Sequence, residues 1–444
     1  FGERLKFAAD LDGHGVEIQD WQGRIYLETE DLALDALEGL FAQLPISVSG
    51  RMDVELWAGI RGVQLEWASG SYVIHDAVFE NRTADAQGIG ADRLSSAFFV
   101  QSTDKGWGLG LRKFQLQRDN RVVWPWSTID LSIEMDPALR IRGNASTLVL
   151  DELHSLTPLL PWVEAEALSM LDRLEPEGLL REAEFELEYN EGQAPRFSAR
   201  AKIEDLQFAA HAGLPGLSGL SGWLEGNLQS GYLHLDSDQA SLRMPKVFPA
   251  TLDLRHLQGV VHWQRYANLF RIESQRLSVN SGELGVLARW QLDWSYDKPS
   301  PWLDMQLALD DFPLSRVRQH LPEKIMPPRA VAWLKRAFVA GTATDARVMM
   351  QGRVDQMPFD NEEGRFEARF GFENVVLDYD PAWGGLEELD GTAVFSGRSM
   401  QVTATQGRLQ DSPIKRVVAV IKDIKRPLLQ IEGTAGGTLP AMLE

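Results

Sequence analysis

The chain has 444 residues, 44% apolar and 24% charged, with a formal net charge of −20; disorder would need fewer apolar residues and a stronger charge bias, so a globular or solenoidal fold follows. The acidic balance and the lack of a dense basic run exclude nucleic acid as a partner and a flat seat on an anionic bilayer. There is no cysteine, which removes disulfides, thiolate nucleophiles and cysteine-ligated metal centres, and suits an oxidising compartment.

In chain order, the first strand signal is "RLKFAADL" at 4–11, where apolar and polar residues alternate. "DLDGHG" at 10–15 resembles the start of a calcium loop, but the later acidic ligands are missing and a hairpin turn is expected. From Thr29 the leucine spacing and early acids predict a helix near 30–43. "GWGLGLRK" from Gly106 places glycines at alternate positions, which is a strand with one bare face and not the G-x-G-x-x-G phosphate turn. A second helix is predicted near 160–175 from Leu168, Leu171 and Leu174, stopped by Pro176 and Gly178.

Alternation then returns in "FELEY" at 185–189, "YLHLD" at 232–236, "WLDMQLALDD" at 302–311 and "RFEARFGFE" at 365–373. A third helix is predicted near 327–340, with Pro327 and Pro328 in its first turn, a stripe of Val331, Leu334 and Phe338, and Gly341 closing it. The expected fold class is mostly β: an antiparallel sheet of about 16 strands with a few short helices at repeat boundaries.

Internal repetition supports this plan. "RFSARAKIEDLQF" from Arg196 lies over "RFEARFGFENVVL" from Arg365 without gaps, and the same register pairs Leu217, Leu220 and Gly222 with Leu386, Leu389 and Gly391. Three repeats are expected, at 1–150, 151–310 and 311–444, stacked as one continuous structure and not as separate globules.

No chemistry rises from the motifs. The eight histidines are scattered, with His262 and His320 read as a sheet residue and a helix-entry residue. Carboxylate pairs such as Glu387–Glu388 and Asp310–Asp311 sit in turn-like contexts, and no G-x-S-x-G elbow occurs. Neither an enzyme, a cofactor nor a metal is expected. The apolar stripes are the candidate functional residues: Leu5 and Phe7, Phe185 and Leu187, Leu233 and Leu235, Met305, Leu307 and Leu309, and Phe366, Phe370 and Phe372. Alternation alone fits the interior of a sandwich as well as the floor of an open groove. The fourteen tryptophans leave a glycan-binding or structural solenoid as the rival; it requires exposed, regularly spaced rings.

From Val317 onward, Leu321-Pro322, Trp333-Leu334, Ala337-Phe338, Gly341, Gly352, Pro358-Phe359 and Gly391 resemble the large AsmA-like periplasmic proteins of the YhdP type, although Met357 stands where relatives often carry an aromatic. The resemblance implies a bridge-like lipid transfer protein: an elongated, highly curved antiparallel β-sheet groove (a repeating β-groove) whose apolar floor carries phospholipid between inner and outer membranes. This chain would be a middle portion of a larger protein, with the inner-membrane anchor and the outer-membrane contact outside it and its protein partners unknown. Trp333, Leu334 and Phe338 are expected to pack on the sheet edge or cap the groove.

Overall fold

Alternating segments become strands throughout, and the described residues hold 24 strands and three short α-helices, against the roughly 16 strands expected. The computed structural model describes every residue except 1–3, 14–20, 36–45, 83–87, 137, 160–164, 191–192, 194, 212–213, 283, 362, 380–384, 410–411 and 437–444. Contacts divide the chain into two units, one of residues 1–209 and 223–228, the other of residues 210–222 and 229–444.

Ten strands build the first unit: β1 (Arg4–Asp12), β2 (Gln22–Ala33), β3 (Ile46–Arg61), β4 (Gln64–Asn81), β5 (Ile89–Thr103), β6 (Gly106–Arg118), β7 (Arg121–Glu134), β8 (Leu139–Val149), β9 (Glu177–Tyr189) and β10 (Arg196–Phe208). Each pairs antiparallel with the next, so the unit is a meander. Short turns suffice for such connections: Asp119 and Asn120 both take positive φ, as the two-residue link between β6 and β7 requires. Between β8 and β9 lie α1 (Leu150–Leu156), a 3-10 turn at Thr157–Leu159 and α2 (Ala165–Leu174), the last of these matching the helix expected near 160–175. The helix expected near 30–43 is different. Residues 30–33 close β2, because they stay in the ladder opposite β3, and 36–45 lie outside the described residues.

The second unit holds the start of β11 (Gly216–Asn227), then β12 (Ser230–Ser237), β13 (Ala240–Arg243), β14 (Leu252–Arg265), β15 (Leu269–Asn280), β16 (Gly285–Ser295), β17 (Trp302–Leu309), β18 (Phe312–Pro313), β19 (Phe338–Arg353), β20 (Arg365–Leu377), β21 (Leu386–Ser396), β22 (Ser399–Leu409), β23 (Ser412–Ile421) and β24 (Leu429–Ala435). From β14 the ladder runs through β15, β16 and β17 to β19, then strand by strand to β24. The third helix, α3 (Pro328–Ala337), starts at a proline that needs no amide partner. It ends earlier than the spacing predicts, because Phe338 already pairs with Leu377 as the first residue of β19, and Gly341 lies inside that strand with φ +112.

Most long strands bend at one residue. Asp31, Asp76, Lys113, Glu182, Asp205, His256, Asp345, Asn374 and Glu388 all have φ between 43 and 57, and nearly all of them sit where the register with a neighbour slips. These are bulges, which sharpen local twist and bend a sheet. Several are stabilised alike: the amides of Asp31, Asp345 and Asn374 donate to the carboxylates of Asp53, Asp311 and Asp390 at 2.8, 3.3 and 2.7 Å. Each unit has a buried cluster. In the first unit Ala77, Ala91, Leu94, Leu116, Trp124 and Val149 form a core with Leu153 of α1 against it. In the second, Phe372, Val375, Leu389, Ala393 and Ile414 close around Leu314 of the 3-10 turn Leu314–Gln319.

Two expectations follow. Asn374→Val places a β-branched residue at φ 50 and lowers stability by about 1–2 kcal/mol in urea unfolding, whereas Asn374→Gly stays within a few tenths or stabilises. Phe372→Ala empties the second core and costs about 3–5 kcal/mol.

Candidate functional site

Register decides which side chains share a sheet face. In the first unit one row runs Phe7, Leu27, Leu56, Gly70, Phe98, Leu111, Ile129, Ala145 and Ala183. A parallel row runs Ala9, Ile25, Ala58, Ala68, Val100, Leu109, Leu131, Gly143, Phe185 and Ala199. Neither contains a charged residue. Leu5 stands beside Phe7, and Leu187 pairs with Ile141 and Phe197, on this same face. The four stripe residues expected here are therefore brought onto one surface. They differ in burial: Leu5 and Phe7, on β1, are 69% and 64% exposed, while Phe185 and Leu187 are half-buried.

The second unit repeats the arrangement. Trp263, Ile272, Leu292, Leu303 and Gly352 make one row; Ser274, Trp290, Met305, Met350 and Phe366 make the next; Leu277, Ala288, Leu307, Val348, Ala368, Phe395, Met400, Ile421 and Leu429 make a third. Leu309 pairs with Val286 and Ala346, and Leu233 and Leu235 stand opposite Val261 and Gly259 on the same face. Phe370, opposite Ala393, stacks on Phe395 at 6.4 Å. Phe372 and Leu235 are only 7% and 8% exposed and belong to the packed part of that face.

The opposite face is polar and its charges are paired across strands. Lys6 meets Glu28 at 2.7 Å, Arg112 meets Asp130 at 2.7 Å, Arg142 meets Glu186 at 3.1 Å, and Arg271 grips Asp293 with bonds of 2.7 and 2.8 Å. The bonds from Lys6 and Tyr26 hold the Glu28 carboxyl below its ordinary range, and the Glu28 bond in turn pushes the Tyr26 phenol up to about 12. Tyr72, on the apolar face opposite Val54, is pushed up to about 12 by burial alone. One face holds ionised groups; the other penalises them.

The tryptophans divide between the two faces. Trp263 and Trp290 stand in the apolar rows, Trp124 is buried, and Trp57 and Trp126 are exposed. Trp333 donates its indole N–H to the Tyr379 carbonyl at 2.9 Å and meets Phe338 edge-on at 6.1 Å; Phe338 reaches the core around Leu314, and Leu334 is half-buried. His262 stacks on Tyr232 at 4.7 Å and faces Glu273 at 3.6 Å, and the His320 amide bonds the Val317 carbonyl. Among the described residues no three metal-ligating side chains converge, and no helix is long and apolar enough to cross a membrane.

Sequence reasoning missed most of both surfaces. Ile25, Leu56, Leu109, Leu131, Leu292 and Trp290 belong to the rows as fully as the stripe residues do. Their signal is period-two alternation read within each side of a bulge.

Together these features define a class: a mostly β protein of antiparallel meanders, each unit carrying one face with charge-free apolar rows and one charge-paired polar face. The YhdP protein family model matches residues 1–444, and the chain belongs to the YhdP family. It is 22% identical over 441 residues to the intermembrane phospholipid transporter YhdP of Escherichia coli (strain K12), across 94% of this chain and 33% of that protein. The chain thus spans about a third of the relative's length. No solved structure matches it.

The row assignment has a direct test. A side chain at Gly143 would run into the Phe185 ring and Leu131. Gly143→Val is expected to cost about 1–3 kcal/mol through overpacking. Combining it with Phe185→Ala should cost less than the sum of the two, measured as a double-mutant cycle by denaturant unfolding.

Proposed function

We propose that the chain is a section of a non-enzymatic conduit in which phospholipid acyl chains move along the apolar sheet face, across the periplasm between inner and outer membranes, with the inner-membrane anchor supplied from elsewhere in the protein. The observation that carries the reading is the uninterrupted absence of charge along the apolar rows of each unit. A 16-carbon tail loses roughly 12 kcal/mol on entering water, at about 0.8 kcal/mol per methylene. Rows such as Leu109–Leu131 and Met305–Met350 let a tail exchange one set of apolar contacts for an equivalent set, so each step is nearly level in free energy. The head group stays in water, and the slide needs no catalytic residue. The similarity to a phospholipid transporter supports the choice of cargo.

Mass spectrometry of the purified chain should find bound phospholipid. Leu131→Asp with Leu307→Asp puts a carboxylate on each apolar face and should lower the bound lipid tenfold or more. Ser132→Asp with Gln306→Asp, next to these sites but on the polar faces, should leave it unchanged. Equal lipid in both double variants, or none in the unaltered protein, overturns the reading.

A further inference from the structure

The apolar row Trp263–Ile272–Leu292–Leu303 ends at Gly352. Gly364 precedes Arg365, which pairs with Gln351, so two glycines face each other at the start of the β19–β20 ladder, where the next two rows continue with Met350–Phe366 and Val348–Ala368. That bare patch is filled from outside the sheet. A Cβ on Gly352 would lie 2.5 Å from the Phe359 ring, and one on Gly364 would lie 2.6 Å from it. Phe359 is 8% exposed, although it comes from the connection after β19 and not from a strand.

We infer that the Gly352–Gly364 notch is an acyl-chain subsite of the apolar face, held closed by Phe359 as an internal stand-in for a lipid tail; this rests on the lipid reading above. A phenyl ring and a short run of methylenes are interchangeable occupants of such a notch, since both are apolar and neither needs a hydrogen bond. Residues 354–361 form a strap tied at both sides. The Val354 amide bonds the Pro301 carbonyl at 3.2 Å, the Asp355 amide bonds Ser300 Oγ at 3.2 Å, and Asp360 pairs with Arg398 at the turn after β21. The Val354 and Asp355 ties lie on backbone groups close to the sheet. The Asp360 tie is a single, partly exposed ion pair and is the weaker of these ties, so its loss loosens the segment that carries the ring between β19 and β20.

The test uses the purified chain with liposomes of phosphatidylethanolamine and phosphatidylglycerol and a photoreactive benzoylphenylalanine in place of Leu303, beside the notch, or of Ile272, farther along the same row. In the unaltered protein Ile272 is expected to cross-link lipid strongly and Leu303 weakly. Phe359→Ala should raise cross-linking at Leu303 at least threefold while leaving Ile272 unchanged. Asp360→Ala, which keeps the ring and removes one tie of the strap, should give a smaller rise, and it decides the matter if circular dichroism shows Phe359→Ala unfolded. Lipid at Ile272 with no change at Leu303 in the folded variants makes Phe359 ordinary packing and overturns the subsite alone. No lipid at either position overturns the conduit reading and the subsite with it.

Discussion

Cross-strand register is the constraint on which both units depend. Side chains alternate with period two, so a slip of one residue between any two strands would carry Lys, Arg, Asp and Glu into the apolar rows and apolar residues out of them. The polar face opposes such a slip. Lys6–Glu28, Arg112–Asp130 and Arg271–Asp293 join directly opposed or near-opposed positions, and a slipped ladder would place like charges or apolar groups there. Exposed pairs of this kind add little stability singly. Their effect is selective: they penalise the alternative register and thereby keep the other face free of charge.

Bulges reconcile this strict pairing with bending. A regular ladder can twist but resists a sharp turn across many strands; an extra residue held at positive φ bends one strand and leaves its flanking pairs intact. The internal repeat preserves these positions. Strands β10 and β20 have 13 residues each, and with the offset 365 − 196 = 169 the bulge residue Asp205, at φ 55, falls on Asn374, at φ 50. Gly219, at φ 70, likewise falls on Glu388, at φ 50. What the repeat keeps is a bend position, filled by whichever residue tolerates the left-handed conformation.

The same bulges explain what could and could not be read from the chain. Strands with unbroken alternation, such as β17 with Met305, Leu307 and Leu309, were legible together with the side chains that share their apolar face. In β4 the phase shifts at Asp76, from Tyr72 and Ile74 to Ala77 and Phe79, so one long strand resembles two short irregular pieces. That is why about 16 strands were expected where 24 occur. The stretch 30–33 misled in a different way: Leu32 fits a helical spacing with Leu37 and Leu40, yet it pairs with Met52 beyond the Asp31 bulge, and tertiary pairing overrides a local pattern. The polar face was legible only as polarity, since which charges meet depends on register.

Residue size along the apolar rows carries information that alternation does not. Neighbouring positions on one face share limited room, so bulky residues cannot stand side by side everywhere. Gly143 lies between Leu131 and Phe185, whose side chains already occupy the space a Cβ there would need. Gly391, opposite Phe372, is covered by that ring in the same way. At these two glycines a small residue marks where a large neighbour leans across. A uniform row of leucines would keep the period and the hydrophobicity, yet it would crowd the face at Gly143 and Gly391.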